Sequence, residues 1–305
     1  MKLIRNRKTN ASLQFHMFLR AIIFLGFSLL IVKFVVNDTI QLYIAPKMLP
    51  FVYFAGACFL IIGIFLFFKS LSPKLKEDME CNCGVDHQMK GSFITKTCIY
   101  LLFILPVVLG LGLPEKAVDS TVASNRGVQY GGGLYNTPGI AQTDSEYGGV
   151  EGANSVSDEE GTTEADADSE IMAIYGDQLK EYSAMDHIEI TDENYLDVSY
   201  LINFFLDDFT GKTVSIKGFV YREPDFAEDQ IIVARYAMNC CVADASVFGT
   251  IAFGEQVGSL QDDTWIEVTG TVEELVYHDQ RMASVRAEQV DKIEEPKNPY
   301  LTPLY

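Results

Sequence analysis

Two short clusters of metal-ligating side chains carry the clearest chemistry in this chain of 305 residues. In the first, the adjacent thiols of Cys240 and Cys241 are followed closely by Asp244. Paired thiols can chelate a soft metal ion, exchange electrons or close a vicinal disulfide, and a nearby carboxylate can add an oxygen ligand. The alternative is one buried and one structural cysteine, because neighbouring residues of a regular strand point to opposite faces. His187 and His278 would complete a site if the fold brings them close.

The second cluster comprises Cys81, Cys83, Asp86 and His87, which lie within seven residues of one another. Thiolate, carboxylate and imidazole groups are ligands for zinc or another transition metal. The spacing Cys-x-Cys is less diagnostic than Cys-x-x-Cys, and no second pair follows. A plain reduced loop is therefore the alternative interpretation.

The rest of the sequence contains no catalytic signature. There is no nucleophile motif, phosphate-binding loop or metalloprotease helix, and adjacent acids such as Glu273 and Glu274 are typical of a solvated edge. We therefore expect a protein that is not an enzyme.

Three apolar runs lie before the acidic part of the chain, at residues 15–36, 49–68 and 98–113. Cys81 and Cys83 lie between the second run and the third. The first two have about the 20 residues that a membrane helix needs. The first follows basic residues, as a signal peptide does, but it is longer than a signal core and lacks a small-x-small cleavage site. The third is short and contains Pro106, Gly110 and Gly112, which membrane helices tolerate where neighbours cover the freed backbone groups. We expect three transmembrane helices and a membrane partner for the third.

Lysine and arginine in the short loops predict the orientation of these helices. The N-terminal tail has four such residues and the loop 69–97 has five, whereas residues 37–48 hold only Lys47. We therefore expect a plasma-membrane protein with a cytoplasmic N-terminus and an extracytoplasmic C-terminal domain. Residues 1–113 hold 12 Lys and Arg against 5 Asp and Glu, and residues 114–305 hold 11 against 37. Such an acidic ectodomain excludes nucleic acid and anionic lipid as its main partner.

Residues 114–170 predict an acidic, glycine-rich and disordered linker. The segment holds few large apolar residues and an acidic tract at 157–170, so it cannot bury enough surface to offset the entropy of ordering. A calcium loop at 158–170 is an alternative, since carboxylates suit a hard cation, but the order of ligands in an EF-hand is absent.

Residues 171–305 predict a helix followed by a β domain. The helix begins at Thr191-Asp192-Glu193 and presents apolar residues at helical spacing, namely Val198, Leu201, Ile202, Phe205, Leu206 and Phe209. Five strands follow at 213–221, 230–236, 246–253, 265–275 and 282–293. Gly218 and Gly270 lie inside strands, where glycine often marks a bulge or barrel corner. The fold class is therefore membrane-anchored α+β, with three transmembrane helices, the linker, and a helix plus a small five-stranded OB-like β-barrel; an open sandwich is the alternative.

The order of these features resembles the YcgQ-type family of permease subunits from Gram-positive bacteria. Two membrane helices, a loop with cysteine and histidine, and a third helix with Pro106 precede a β domain. That domain carries the motif residues Gly218, Arg235, Cys241, Ala243, Asp244, Trp265 and Gly270. The resemblance implies a membrane protein that acts beside a separate polytopic permease. Some relatives have more histidines in the loop 69–97, where this chain has only His87, and this departure directs attention to the ectodomain.

We therefore expect a non-enzymatic accessory subunit of a plasma-membrane permease complex, in contact with the lipid bilayer and a polytopic permease subunit. Two alternatives stay open. One is a metal-binding or thiol-redox ectodomain that uses Cys240, Cys241 and Asp244. The other is an envelope-stress sensor that acts through the acidic linker.

Overall fold

The computed structural model describes residues 2–71, 93–131 and 164–302. The chain divides into two compact units. One comprises Met1–Ala117 together with Cys240–Val242, and the other comprises Val118–Asn239 together with Ala243–Tyr305.

The first unit contains three long helices, α1 (Lys2–Val36), α2 (Leu49–Ser70) and α3 (Phe93–Gly112). Each has a segment long and apolar enough to cross a membrane, at Gln14–Val36, Pro46–Ser70 and Ile94–Gly112. The prediction of three apolar helices that could span a membrane is thus confirmed. The third is longer than the 16 predicted residues, because the helix begins before the polar Thr95-Lys96-Thr97 stretch, which a run of apolar letters excludes.

Close approach at glycines joins these helices. Helix α1 packs against both α2 and α3. A Cβ atom added to Gly63 of α2 would lie 2.8 Å from Leu25 Cγ, and one added to Gly110 of α3 would lie 2.7 Å from Leu30 Cδ1. Small residues at such contacts let helix backbones approach and gain van der Waals energy in a membrane.

Lys33 in the last turn of α1 has polar partners at the end of α3. Its Nζ donates to the carbonyl of Gly110 at 3.0 Å and lies 2.6 Å from Glu115 Oε1. A lysine near a helix end can therefore satisfy its charge without entering the apolar part of the span. In the same unit the Ala45 amide donates to Cys240 O at 3.1 Å, and the Val242 amide donates to Tyr43 O at 2.9 Å.

The second unit is built on one mixed sheet of eight strands within the described residues. The five predicted strands are present as β3 (Thr213–Tyr221), β4 (Gln230–Ala237), β5 (Ser246–Phe253), β6 (Trp265–Tyr277) and β7 (Gln280–Lys292). Three short strands were not predicted: β1 (Val128–Tyr130), β2 (His187–Ile190) and β8 (Tyr300–Leu301). Two to four residues are too few to show an alternating pattern, so the expectation of a five-stranded domain was wrong.

The five long strands pair in a cycle. Strand β3 pairs antiparallel with β4 and β6, β4 pairs antiparallel with β5, β5 pairs parallel with β7, and β7 pairs antiparallel with β6. The register of β6 and β7 shifts between Thr269 and Gly270. A Cβ atom on Gly270 would lie 2.2 Å from Arg286 O, and one on Gly218 would lie 2.5 Å from Ala234 O. Both glycines therefore permit close backbone approach, and Gly270 lies at an irregularity as predicted.

The predicted helix after Thr191 is divided into α6 (Tyr195–Phe204) and α7 (Leu206–Phe209). Two further helices, α4 (Ser120–Arg126) and α5 (Glu164–Ser183), precede α6 in the chain. Helix α6 starts later than expected because the Asn194 side chain forms a turn before it. Asn194 Oδ1 accepts from the Thr191 amide, and Asn194 Nδ2 donates to Glu189 O. The predicted apolar face is nevertheless buried in the core against the sheet, through Val198, Leu201, Ile202, Leu206 and Phe209.

The linker prediction for 114–170 is wrong at both ends. Asp119 Oδ1 accepts from the Thr121 amide and caps α4, and β1 pairs parallel with β5. Helix α5 begins at Glu164, so 164–170 are helical rather than a calcium loop. The remaining linker residues, 132–163, lie outside the described residues and stay a prediction. They connect β1 to α5, which both belong to the second unit.

Candidate functional site

The end of strand β4 sets the arrangement of the first predicted cluster. The strand ends at Ala237, three residues before Cys240. The alternation of a regular strand therefore does not separate the two thiols. A single turn of 3-10 helix at Val242–Asp244 then directs the chain back toward them.

Cys240, Cys241 and Asp244 lie together in this turn. Their ligand atoms are all within 4.8 Å of one another, and the two sulfur atoms are 3.6 Å apart. Asp244 Oδ1 accepts a hydrogen bond from the Asn239 amide at 3.1 Å. Because these distances join six consecutive residues, the local backbone sets them.

Neither thiol is buried. Cys240 is exposed, and Cys241 and Asp244 are half-buried. The interpretation with one buried cysteine therefore does not describe this segment. At 3.6 Å the sulfurs are also not joined in a disulfide, which requires about 2.05 Å.

The other predicted ligands do not join this group. His187 Nε2 lies 3.4 Å from Ser215 Oγ, and His278 Nε2 lies 2.9 Å from Asp225 Oδ2. In the described parts of the chain, Cys240, Cys241 and Asp244 form the one set of three such ligands within reach of a single ion. The predicted loop cluster of Cys81, Cys83, Asp86 and His87 lies outside the described residues.

The motif residues Arg235 and Trp265 meet at one end of the core. Arg235 is on β4 with only 1% of its side chain exposed. Its guanidinium carbon lies 5.2 Å from the Trp265 ring and 5.9 Å from the Tyr195 ring. Its Nη1 donates to Asp192 Oδ1 at 2.6 Å, while Nε and Nη2 have no hydrogen-bond partner among the described residues. The buried charge is thus stabilised by one carboxylate and two aromatic faces.

The remaining motif residues have backbone roles. Gly218 lies on β3, where a Cβ atom would also come 2.9 Å from Val233 Cγ1 on β4. Gly270 lies at the register shift, and Ala243 lies inside the 3-10 turn next to Asp244. The motif residues therefore lie at three places. These are the contact between Arg235 and Trp265, the close backbone approaches at Gly218 and Gly270, and the turn at 240–244.

Two partners of Arg235 were missed by reasoning from sequence. The sequence pattern assigns Asp192 to the start of a helix and assigns no role to Tyr195. Burial raises the pKa of Tyr195 far above its ordinary value, and its hydroxyl donates to Val233 O. No local pattern links either residue to Arg235, which is about 40 positions later.

A polar network around Asp225 was also missed. Tyr277 donates to Asp225 Oδ1 at 2.9 Å, and Tyr221 donates to Glu223 Oε2 at 3.3 Å. Burial raises the pKa of Glu223 above its ordinary value and that of Tyr221 to about 12. The hydrogen bond from Tyr277 lowers the pKa of Asp225. The network joins turns that are distant in sequence, so spacing could not reveal it.

Family comparisons cover most of the chain. Residues 19–129 match the DUF1980 N-terminal domain, and residues 166–303 match the DUF1980 C-terminal domain. The unmatched residues between the two domains include the undescribed segment 132–163. Both the membrane helices and the eight-stranded sheet thus have counterparts in known families.

Two relatives match about two thirds of the chain. One, named "Putative two-component membrane permease complex subunit", comes from Streptococcus mutans serotype c; it is 27% identical over 204 residues, which cover 66% of this chain and 72% of the relative. Another, named "UPF0703 protein YcgQ", comes from Bacillus subtilis strain 168; it is 24% identical over 219 residues, which cover 68% of this chain and 70% of the relative.

Proposed function

Because the chain belongs to the YcgQ-type family, with its two DUF1980 domains, we propose that it is a non-enzymatic accessory subunit of a plasma-membrane permease complex. The observation that carries the proposal is the relative named as a subunit of a two-component membrane permease complex, together with three helices long enough to span a membrane. The second component would be a polytopic membrane protein that forms the permease itself.

The third helix offers the surface that best fits such a partner. Helix α3 contacts only α1 extensively among the described helices, and it carries Pro106 inside the span. Leu102, Leu105 and Leu109 lie on one face of α3 by helical spacing, and all three are exposed. Since lipid and a protein partner are both apolar, this exposure alone does not select the partner; the family relationship does.

The β domain would be the extracytoplasmic part of this subunit. The cycle of pairings among β3, β4, β5, β7 and β6 supports an OB-like barrel. An OB-like barrel in contact with nucleic acid needs a basic groove, whereas residues 114–305 hold 37 acidic and 11 basic side chains. The domain would instead meet the transported solute or an envelope component, and it would take no part in bond chemistry.

Recovery of the partner from membranes tests the proposal. The tagged full-length chain, extracted in mild detergent, should bring one polytopic membrane protein with it at a constant ratio. Changing Leu102, Leu105 and Leu109 of α3 to alanine should reduce that ratio, because it removes apolar contact at the proposed surface.

A matched variant controls for general effects on the spans. Phe54, Ile61 and Phe65 form an apolar face of α2 that is at least as exposed, and their change to alanine should leave the ratio unaltered. Recovery of the chain by itself in repeated preparations would refute the proposal. Equal losses in both variants would refute the assignment of the surface to α3.

A further inference from the structure

We infer that Cys240, Cys241 and Asp244 bind a thiophilic divalent cation of the Zn²⁺ class and leave its fourth coordination position open. The site lies in the turn between β4 and β5, and it is independent of the proposed permease partner. It could thus exist whether or not the chain acts in transport.

The separation of the two sulfurs fits tetrahedral coordination. Two thiolates at Zn–S distances of about 2.3 Å and a tetrahedral angle lie about 3.8 Å apart, close to the 3.6 Å between Cys240 Sγ and Cys241 Sγ. Sulfurs on opposite sides of an ion at the same bond length would lie about 4.6 Å apart. The observed pair therefore favours a tetrahedral ion over a linear, two-coordinate one.

Asp244 supplies the third of the four ligands of a tetrahedral ion. Its ligand atom is within 4.8 Å of both sulfurs, and in a tetrahedral site a carboxylate oxygen lies about 3.6 Å from each sulfur. A movement of about 1 Å at the end of one side chain closes that difference. The hydrogen bond from the Asn239 amide to Oδ1 orients the carboxylate, as outer partners of metal ligands do.

The ligand types select the class of ion. Mg²⁺ and Ca²⁺ take oxygen ligands, and thiolates select softer ions. Binding a divalent ion requires two thiols to lose their protons, so each ion bound releases two protons and the site carries a net charge of −1. Affinity should therefore fall as the pH falls.

The fourth position, for which the described part of the chain offers no ligand, distinguishes this site from a structural zinc site. Structural sites use four protein ligands, whereas three ligands leave a place for water or another molecule. Exposure of Cys240 makes that position accessible from solvent. The arrangement suits an ion that is exchanged rather than one that holds the fold together.

Metal titration of the full-length chain in detergent tests the inference. The chain should carry Cys81→Ser and Cys83→Ser, so that the loop thiols cannot contribute. Zn²⁺ should bind with one ion per chain, and Cd²⁺ should produce thiolate charge-transfer absorption. Adding Cys240→Ser and Cys241→Ser should abolish both signals, and Asp244→Asn should weaken Zn²⁺ binding about 10-fold or more, as loss of even an outer ligand partner does.

The controls separate loss of the site from loss of the fold. Cys58→Ser and Cys98→Ser, in the membrane helices, should leave the stoichiometry at one, and the fluorescence of Trp265 should show that the β domain still folds in every variant. An unchanged stoichiometry without Cys240 and Cys241 would overturn the inference. So would thiol counts that show these two cysteines joined in a disulfide in protein prepared without an oxidant.

Discussion

At the scale of single residues, the two partners of the ion pair between Arg235 and Asp192 differ in burial. The guanidinium is almost fully buried and the carboxylate is half exposed. Loss of the carboxylate leaves a buried charge with two aromatic faces and no ion partner, whereas loss of the guanidinium leaves a carboxylate that solvent can reach. Loss of the carboxylate should therefore lower the free energy of unfolding through this ion pair, whereas loss of the guanidinium leaves no unpaired charge in the core.

Asp192→Asn should lower the free energy of unfolding by about 1–3 kcal/mol. In an Arg235→Met background the same change should cost close to nothing, because its buried partner is gone. Thermal unfolding of the full-length chain in detergent, followed by the fluorescence of its single tryptophan, measures both. Equal effects in the two backgrounds would mean that the pair is not coupled.

Glu223 should make stability depend on pH in an unusual direction. Burial, the largest cause, raises its pKa in the folded protein. A carboxyl whose folded pKa is raised contributes fully below its unfolded pKa of about 4.3, and this contribution is lost as pH rises through the folded pKa. Glu223→Gln should therefore gain stability relative to the wild type as the pH rises above about 4.

Asp225→Asn provides a control of opposite sign. The hydrogen bond from Tyr277 lowers the pKa of Asp225, so this carboxyl stabilises the fold above its unfolded pKa and loses that effect as pH falls through the folded pKa. The asparagine variant should lose stability relative to the wild type as pH rises. Melting temperatures across this range measure both, and parallel curves for the two variants would contradict the assignment.

Reasoning from sequence located the thiol pair but not its geometry. The spacing of Cys240, Cys241 and Asp244 shows which ligands are near in the chain. Whether both thiols reach one ion depends on where β4 ends, which no spacing reveals. Arg235 and Trp265 are both motif residues, but their contact results from strand pairing and could not be predicted from their spacing in the sequence.

At the scale of elements, substitution of the glycine at the register shift of β6 and β7 should destabilise the fold. A Cβ atom on Gly270 would meet Arg286 O at 2.2 Å, and backbone cannot yield as a side chain does. Gly270→Ala should lower the free energy of unfolding by about 1–3 kcal/mol.

Gly176 in α5 is the matched position. A Cβ atom there would meet nothing within 4 Å, so Gly176→Ala should raise stability by about 0.5–1 kcal/mol through helix propensity. The same tryptophan-monitored melts report both changes. A stable Gly270→Ala variant would show that the close approach of the two strands is not needed.

The long elements were predictable because their runs of aliphatic and aromatic residues are long. Strands β3 to β7 have eight or more residues each, and their predicted bounds agree with the structure to within two residues. Strands β1, β2 and β8 have at most four residues, and they exist because partner strands leave edges for them. Such strands follow from tertiary structure and have no signal of their own.

At the scale of the whole molecule, the acidic segment has a different place in the chain from the one expected. Strand β1 lies before it and α5 after it, both in the second unit. Only residues 113–117 separate the end of α3 from that unit. The segment 132–163 is therefore an insertion within the sequence of the second unit and not its connection to the third helix.

Replacing residues 132–163 with a neutral glycine–serine linker of equal length tests what this insertion does. We expect partner recovery and the melting of the β domain to stay at wild-type values, because the described contacts lie outside the segment. An envelope-stress sensor that acts through the acidic charges would instead lose its response while keeping its partner. Loss of the partner itself would contradict the proposed role of the membrane helices.

The central claim is that this chain is one subunit of a two-component membrane complex, and the native mass of the complex tests it most directly. The tagged chain, extracted in mild detergent and measured by native mass spectrometry, should give a species whose mass is not a whole multiple of the chain mass, which is 34.0 kDa plus the tag. The mass left after subtracting the copies of this chain should equal that of a polytopic membrane protein, and the ratio of the two proteins should be the same in every preparation. A spectrum that contains only whole multiples of the chain mass would contradict the claim.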